Sequence, residues 1–165
     1  MGEGADVPPP DLPGGLAFFL AQLGLHAGRE FGERLAPLGL EQRQAGMLTR
    51  LAANEGKSQQ AIPELLGINA TRMVFLVDEL ERLGLVERRR NPADRRSHAL
   101  YLTDAGTAML ARVRAVTVDH EAQMSAGLTS DERTQLITLL RRVAREQGLG
   151  AQALPGIPPG RRARV

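Results

Sequence analysis

Three observations predict a mainly α fold with a small β-hairpin wing, a winged helix-turn-helix flanked by N- and C-terminal helices. Two short helical patterns meet at Gly67. Directly after the second, the apolar period changes from helical to two within an arginine-rich stretch. Helical apolar stripes continue on both sides of this unit, beyond what its own core requires. The expected organisation is a leader at 1–15, one domain at 16–148 and a flexible basic tail at 149–165. Within the domain, 40–102 forms the winged unit, and 16–36 and 103–148 form helices that pair two copies.

Residues 1–15, MGEGADVPPPDLPGG, have no apolar period and are rich in proline and glycine, which predicts a disordered leader. The apolar run from Leu16 to Leu25 follows acidic residues where a secretion signal needs basic ones. At about ten residues it is half the length that crosses a bilayer. A cytoplasmic protein with no membrane partner is expected.

The first helix covers Leu16 to Leu35, with Leu16, Phe19, Leu20, Leu23 and Ala27 on one face. Gly24, Gly28 and Gly32 recur on another. Each glycine costs about 1 kcal/mol of helix propensity relative to alanine. Their repetition predicts close approach of a second helix, with a partner subunit as a source; a compositional bias toward glycine is the alternative. Pro37-Leu38-Gly39 breaks the helix. A second runs from Glu41 to about Ala53 with Ala45, Leu48, Leu51 and Ala52 apolar, and completes a three-helix core. Ser58 can cap a third, which ends at Leu66-Gly67. Pro63 is expected to distort that helix by removing a backbone hydrogen bond.

Met73, Leu76, Val77, Leu80 and Leu83 commit one side of a helix from about Asn69 to Leu83 to the core. At 100° per residue, Thr71, Phe75, Asp78 and Arg82 point outward, with Arg72 on the flank. Asn69 stands at the N-cap and Gly84 supplies the stop. Asn69, Thr71, Arg72 and Phe75 are the candidate reader residues, since a helix-turn-helix presents its second helix to the major groove. For Phe75 two uses stay open: apolar contact with thymine methyl groups, or packing against a neighbouring helix.

Period-two patterns at Leu85 to Arg90 and Ser97 to Leu102, joined by Asn91-Pro92-Ala93-Asp94-Arg95-Arg96, predict a hairpin with a polar tip. Five arginines lie between Arg88 and Arg96. Guanidinium groups on a narrow projecting loop suit phosphates and the negative potential of the minor groove. Arg88, Arg90, Asp94, Arg95 and Arg96 are therefore the candidate wing residues; a merely solvated surface is the alternative.

Thr103 caps the next helix, with Asp104 in its first turn and Met109, Leu110, Val113, Val116 and His120 along it to about Ala126. Thr129 and Glu132 form a capping box for the last helix, striped by Leu136, Ile137, Leu139, Leu140 and Val143 and ending at Gly148. Burying this surplus apolar surface between two copies is the economical expectation. The tail ends Arg161-Arg162-Ala163-Arg164 and can add phosphate contacts, or have no fixed role.

A net charge of +2 is mild for a nucleic-acid binder, so binding to double-stranded DNA must come from local clustering. The absence of cysteine excludes disulfides and thiolate zinc sites. No phosphate loop, nucleophile elbow or metal-ligand cluster is present, so no cofactor, metal or catalytic site is expected.

Gly67-Ile68, the segment from Thr71-Arg72 through Leu80, Gly84-Leu85-Val86, Asp94-Arg95-Arg96 and Leu100-Tyr101-Leu102-Thr103-x-x-Gly106 together resemble the MarR family of bacterial transcription regulators, a likeness that spans roughly Leu16 to Gly148. The resemblance implies a homodimer, a palindromic operator, and release by a small-molecule effector or an oxidant. The cysteine-oxidation switch of some members is excluded here. It further implies that Arg96 enters the minor groove, with Asp94 steering it. Val74 and Phe75 depart from the polar residues many relatives carry there, so sequence preference does not transfer. A winged-helix module that binds protein without specific DNA binding is the competing expectation.

Overall fold

Four residues of one helical face, Met73, Leu76, Val77 and Leu80, are buried and anchor the centre of the molecule. They belong to α4 (Ala70–Arg82) of a computed structural model that describes residues 14–149 apart from 67, 92 and 93. The preceding helices are α1 (Leu16–Leu35), α2 (Gln42–Ala52) and α3 (Ala61–Leu66), with a short 3-10 turn at Ala36–Leu38. Strands β1 (Val86–Asn91) and β2 (Asp94–Leu102) pair antiparallel, and α5 (Asp104–Met124) and α6 (Ser130–Glu146) complete the order. This is the mainly α fold with a hairpin wing that the sequence predicts. Most of the leader and the basic tail lie outside the described residues.

The core gathers Leu35, Leu40, Met47, Leu48 and Leu51 with Ile62, the buried face of α4, Val86 and Leu100 of the hairpin, and Leu110 and Val113 of α5. Leu83, expected in the same stripe, is the C-cap of α4 and is exposed. Gly84 takes φ 69°, the left-handed conformation that ends the helix.

Local signals account for most element ends. The Asn69 side chain accepts a hydrogen bond from the Arg72 N–H at 3.3 Å, and the Thr103 hydroxyl accepts from the Gly106 N–H at 2.9 Å. Thr129 and Glu132 form the capping box reciprocally. Glu41 and Gln44 make a further capping box at α2. Ser58 Oγ accepts from the Ala61 N–H at 3.2 Å, but α3 begins only at Ala61. Just before Pro63, the Ile62 N–H already donates to the Ser58 carbonyl at 3.3 Å, so the proline removes the next bond of that series, to the Gln59 carbonyl.

Two contacts lie beyond local reading. The chain between α2 and α3 pairs with β2: Gln59 N–H donates to the His98 carbonyl at 2.8 Å and Gly56 N–H to the Leu100 carbonyl at 3.1 Å. The glycine stripe of α1 is also occupied from within the chain. The Gln42 side chain of α2 donates to the Gly28 carbonyl, and a Cβ at Gly32 would lie 3.2 Å from the Gln42 amide nitrogen. At Gly24 nothing approaches within 4 Å. Within the chain, the neighbour of Gly28 and Gly32 is thus a side chain of α2.

At the base of the hairpin, Thr103 N–H donates to the Leu85 carbonyl at 3.1 Å, and its hydroxyl donates to the Gly84 carbonyl at 2.6 Å. A Cβ at Gly106 would meet the Leu85 carbonyl oxygen at 1.9 Å, so α5 can lie against this loop only with glycine there. At the far side, α1 and α5 meet through Phe31 and His120, whose ring centroids are 5.2 Å apart.

Candidate nucleic-acid interface

The outward side of α4 carries Thr71 and Phe75, with Arg72 and Val74 beside them, all exposed. Phe75 is 64% exposed and Val74 40%. Arg72 holds no ion pair among the described residues, and Asn69 is committed to capping. The sequence-predicted reader residues therefore converge on the N-terminal half of one helix.

Pairing of the hairpin sorts the arginines. Register places Arg88 opposite Leu100, Arg89 opposite Ala99 and Arg90 opposite His98, so Arg88 and Arg90 share the face of Val86 and Arg89 lies on the other. Arg88 is drawn onto α4: its Nε donates to Gln59 Oε1 at 2.9 Å, and its terminal nitrogens pair with Asp78 and Glu81. Its side chain is only 21% exposed. Its charge is thereby met by two carboxylates of the reader helix, and the strand is tied to that helix. Arg90 is exposed and forms no ion pair among the described residues. Arg89 stacks on Tyr101 at 4.7 Å, and its hydrogen bond to Glu87 holds its guanidinium above its usual pKa. The backbone of Asp94, Arg95 and Arg96 opens β2; their side chains lie outside the described residues.

The acidic groups of α4 are similarly engaged. Asp78 and Glu81 are held by Arg88, while Glu79 accepts from the Gln44 amide at 3.1 Å and pairs with Arg43 at 3.5 Å. Carboxylates that would repel a phosphate backbone are each matched by a cation or an amide. None of these partners was signalled by the sequence, because each lies on another element.

A cleft of about 840 Å³ separates the C-terminal end of α1 from the start of α2 and the last turn of α4, lined by Gly32, Ala36, Gln42, Arg43, Glu79 and Arg82. On α2, Arg50 is half-buried, and this burial lowers its pKa. Among the described residues, no group of histidine and acidic side chains could hold a metal ion, and no helix is long and apolar enough to cross a membrane.

The sequence profile of the MarR family matches residues 38–97, the span from the end of the 3-10 turn to the wing. A putative transcriptional regulatory protein for the hcr operon of Thauera aromatica is 33% identical over 136 residues, covering 82% of each chain. The transcriptional repressor CouR, solved bound to a 23-mer DNA duplex, is 36% identical with a TM-score of 0.73, over 86% of this chain and all of that one. CouR of Rhodococcus jostii RHA1 bound to p-coumaroyl-CoA aligns with a TM-score of 0.69 at 28% identity, over 82% of this chain and 96% of that one. These relatives are regulators of transcription and not enzymes. With a wing and reader helix built alike and identity extending well past them into the flanking helices, the chain belongs to the MarR family of transcription regulators.

Proposed function

We propose that the protein is a cytoplasmic homodimeric repressor that reads a palindromic operator in double-stranded DNA and is released by a small-molecule effector. The observation that carries this reading is the outward face of α4, with Arg72 exposed and without an ion pair among the described residues, beside a hairpin that presents Arg90 in the same condition. Asn69, Thr71, Arg72 and Phe75 would face the major groove, and Arg90, Asp94, Arg95 and Arg96 the flanking minor groove. Arg88 serves the interface by holding β1 on α4.

Dimerisation is supported by apolar surface left uncovered among the described residues. Leu16, Phe19 and Leu23 of α1 and Leu136 and Leu139 of α6 are each at least 44% exposed. No residue of α6 is buried. Residues 16–36 and 103–148 would supply the dimer contacts and 40–102 the reader. Release by an effector is supported by the cleft between α1, α2 and α4, since a ligand there would touch Glu79 and Arg82 of the reader helix itself. It would act by binding one spacing of the two readers more tightly than the other.

Selection of bound duplexes from a random DNA pool at near-physiological salt tests the reading. A palindrome with half-sites about one helical turn apart is expected. Its affinity should fall steeply with salt and drop with Arg96→Glu. The exposed Phe75 favours a second reading, docking of a protein partner. Retention with little salt dependence and no enriched sequence would support that instead.

A further inference from the structure

The middle of the reader helix lacks a side chain free to donate hydrogen bonds into a groove. Thr71 lies in the first turn and Arg72 on its flank. One turn on, the outward positions are Val74 and Phe75. Beyond them Asp78 and Glu81 are occupied by Arg88, Glu79 is held by Gln44, and Arg82, at the last turn and away from the helix centre, borders the cleft toward α1 and α2. Bidentate recognition of guanine or adenine, which needs arginine, asparagine or glutamine at the base edge, is therefore unavailable from the helix centre. Phe75 is a large apolar group left in water on the face of the reader, beside cations that attract a phosphate backbone. Among the base edges of the major groove, the thymine C5-methyl is the one apolar group.

We infer that Phe75, with Val74 beside it, is the specificity-determining contact of this regulator and reads the C5-methyl group of thymine in each half-site. The inference rests on the DNA-binding reading above and adds to it a preference for thymine set by burial and not by hydrogen bonding. Val74 lies on the side of α4 nearest His98, where it lines a second concavity with Gln59, Pro63 and Ala70. Phe75 stands about 100° further round the helix, so it occupies the reader face and Val74 borders it.

The test uses the 165-residue chain and the duplex recovered from the random pool, made once with thymine and once with deoxyuridine in its place. Uracil pairs as thymine does and lacks only the methyl group. One buried methyl group corresponds to roughly fourfold in affinity, so a symmetric pair of half-sites should lose on the order of tenfold on the uracil duplex. Phe75→Ala should bind the thymine duplex about as weakly as wild type binds the uracil one, and should no longer distinguish the two duplexes. Phe75→Leu, which keeps an apolar side chain and the helix, should retain part of the preference. Single uracil replacements should confine the loss to one or two positions per half-site. Equal wild-type affinity for both duplexes, or a thymine preference that survives Phe75→Ala, overturns the inference while leaving DNA binding intact. Failure to enrich any duplex would instead overturn the reading on which it rests.

Discussion

The winged unit and the helices that flank it solve the same problem differently. Between Leu40 and Leu100 nearly every apolar residue at helical or strand period is buried within the chain, and the remaining exposed ones cluster around α3 and α4. In the N-terminal half of α1 and throughout α6 the same kind of stripe faces outward. One region finishes its core alone; the other leaves an apolar surface uncovered among the described residues. If that surface pairs two copies as proposed, its stability depends on concentration as well.

Matched truncations give the largest contrast. Leu80→Ala should destabilise the protein by about 4 kcal/mol at any concentration, because it opens a cavity in a closed core. Leu139→Ala should cost less than about 0.5 kcal/mol in dilute solution, yet move the monomer–dimer midpoint toward higher concentration. Denaturant titration at several concentrations, with mass measured by light scattering against the 17.8 kDa chain, checks both. A wild-type mass that stays monomeric into the high micromolar range would break the comparison. Next in size, Gly106→Ala should destabilise by about 3 kcal/mol, since the added methyl meets a backbone carbonyl that has little room to yield.

Arg88 sharpens the comparison at the seam between wing and reader. Arg88→Ala should weaken operator binding roughly tenfold, the equivalent of one charge-assisted hydrogen bond lost from the frame. The salt dependence should change little, because Asp78 and Glu81 already balance that charge. Arg90→Ala should do the reverse and lower the slope of log affinity against log salt by about 0.9 per phosphate contact. If Arg88→Ala lowers the slope equally, Arg88 contacts phosphate as well.

The smallest effect belongs to the cap of α6. The Thr129 backbone N–H and hydroxyl, both bonded to the Glu132 carboxylate at 2.8 Å, hold its pKa below the ordinary carboxylate value. A carboxyl whose folded pKa is depressed adds stability that is present above its unfolded pKa and lost as pH falls through the folded one. Helical circular dichroism should therefore show a small acid-range loss that Glu132→Gln removes.

Much of this was legible because the signals are local. Asn69, Thr103 and Thr129 each cap within three residues, and the stripe of α4 repeats within four. The arginine cluster likewise marked the hairpin, but its chemistry depended on facts no local pattern holds. Only the strand register shows that Arg88 shares a face with Val86 and turns inward to α4, while Arg89 turns outward to Tyr101. The spacing of the α1 glycines does not show that Gln42 of α2 approaches Gly28 and Gly32, because the turn at Ala36–Leu38 folds α2 back in a way that sequence spacing does not fix. Pro63 was legible too, since its missing N–H interrupts the α-type bonding that Ile62 begins at the Ser58 carbonyl.

The clamp of Thr103 and Gly106 on Gly84 and Leu85 turns α5 into a lever with its fulcrum at the end of the reader helix. With 21 residues the arm is about 31 Å long. A tilt of one degree about its clamped start would accordingly move the far end of α5 by about 0.5 Å. That rigid start depends on the absence of one methyl group at Gly106.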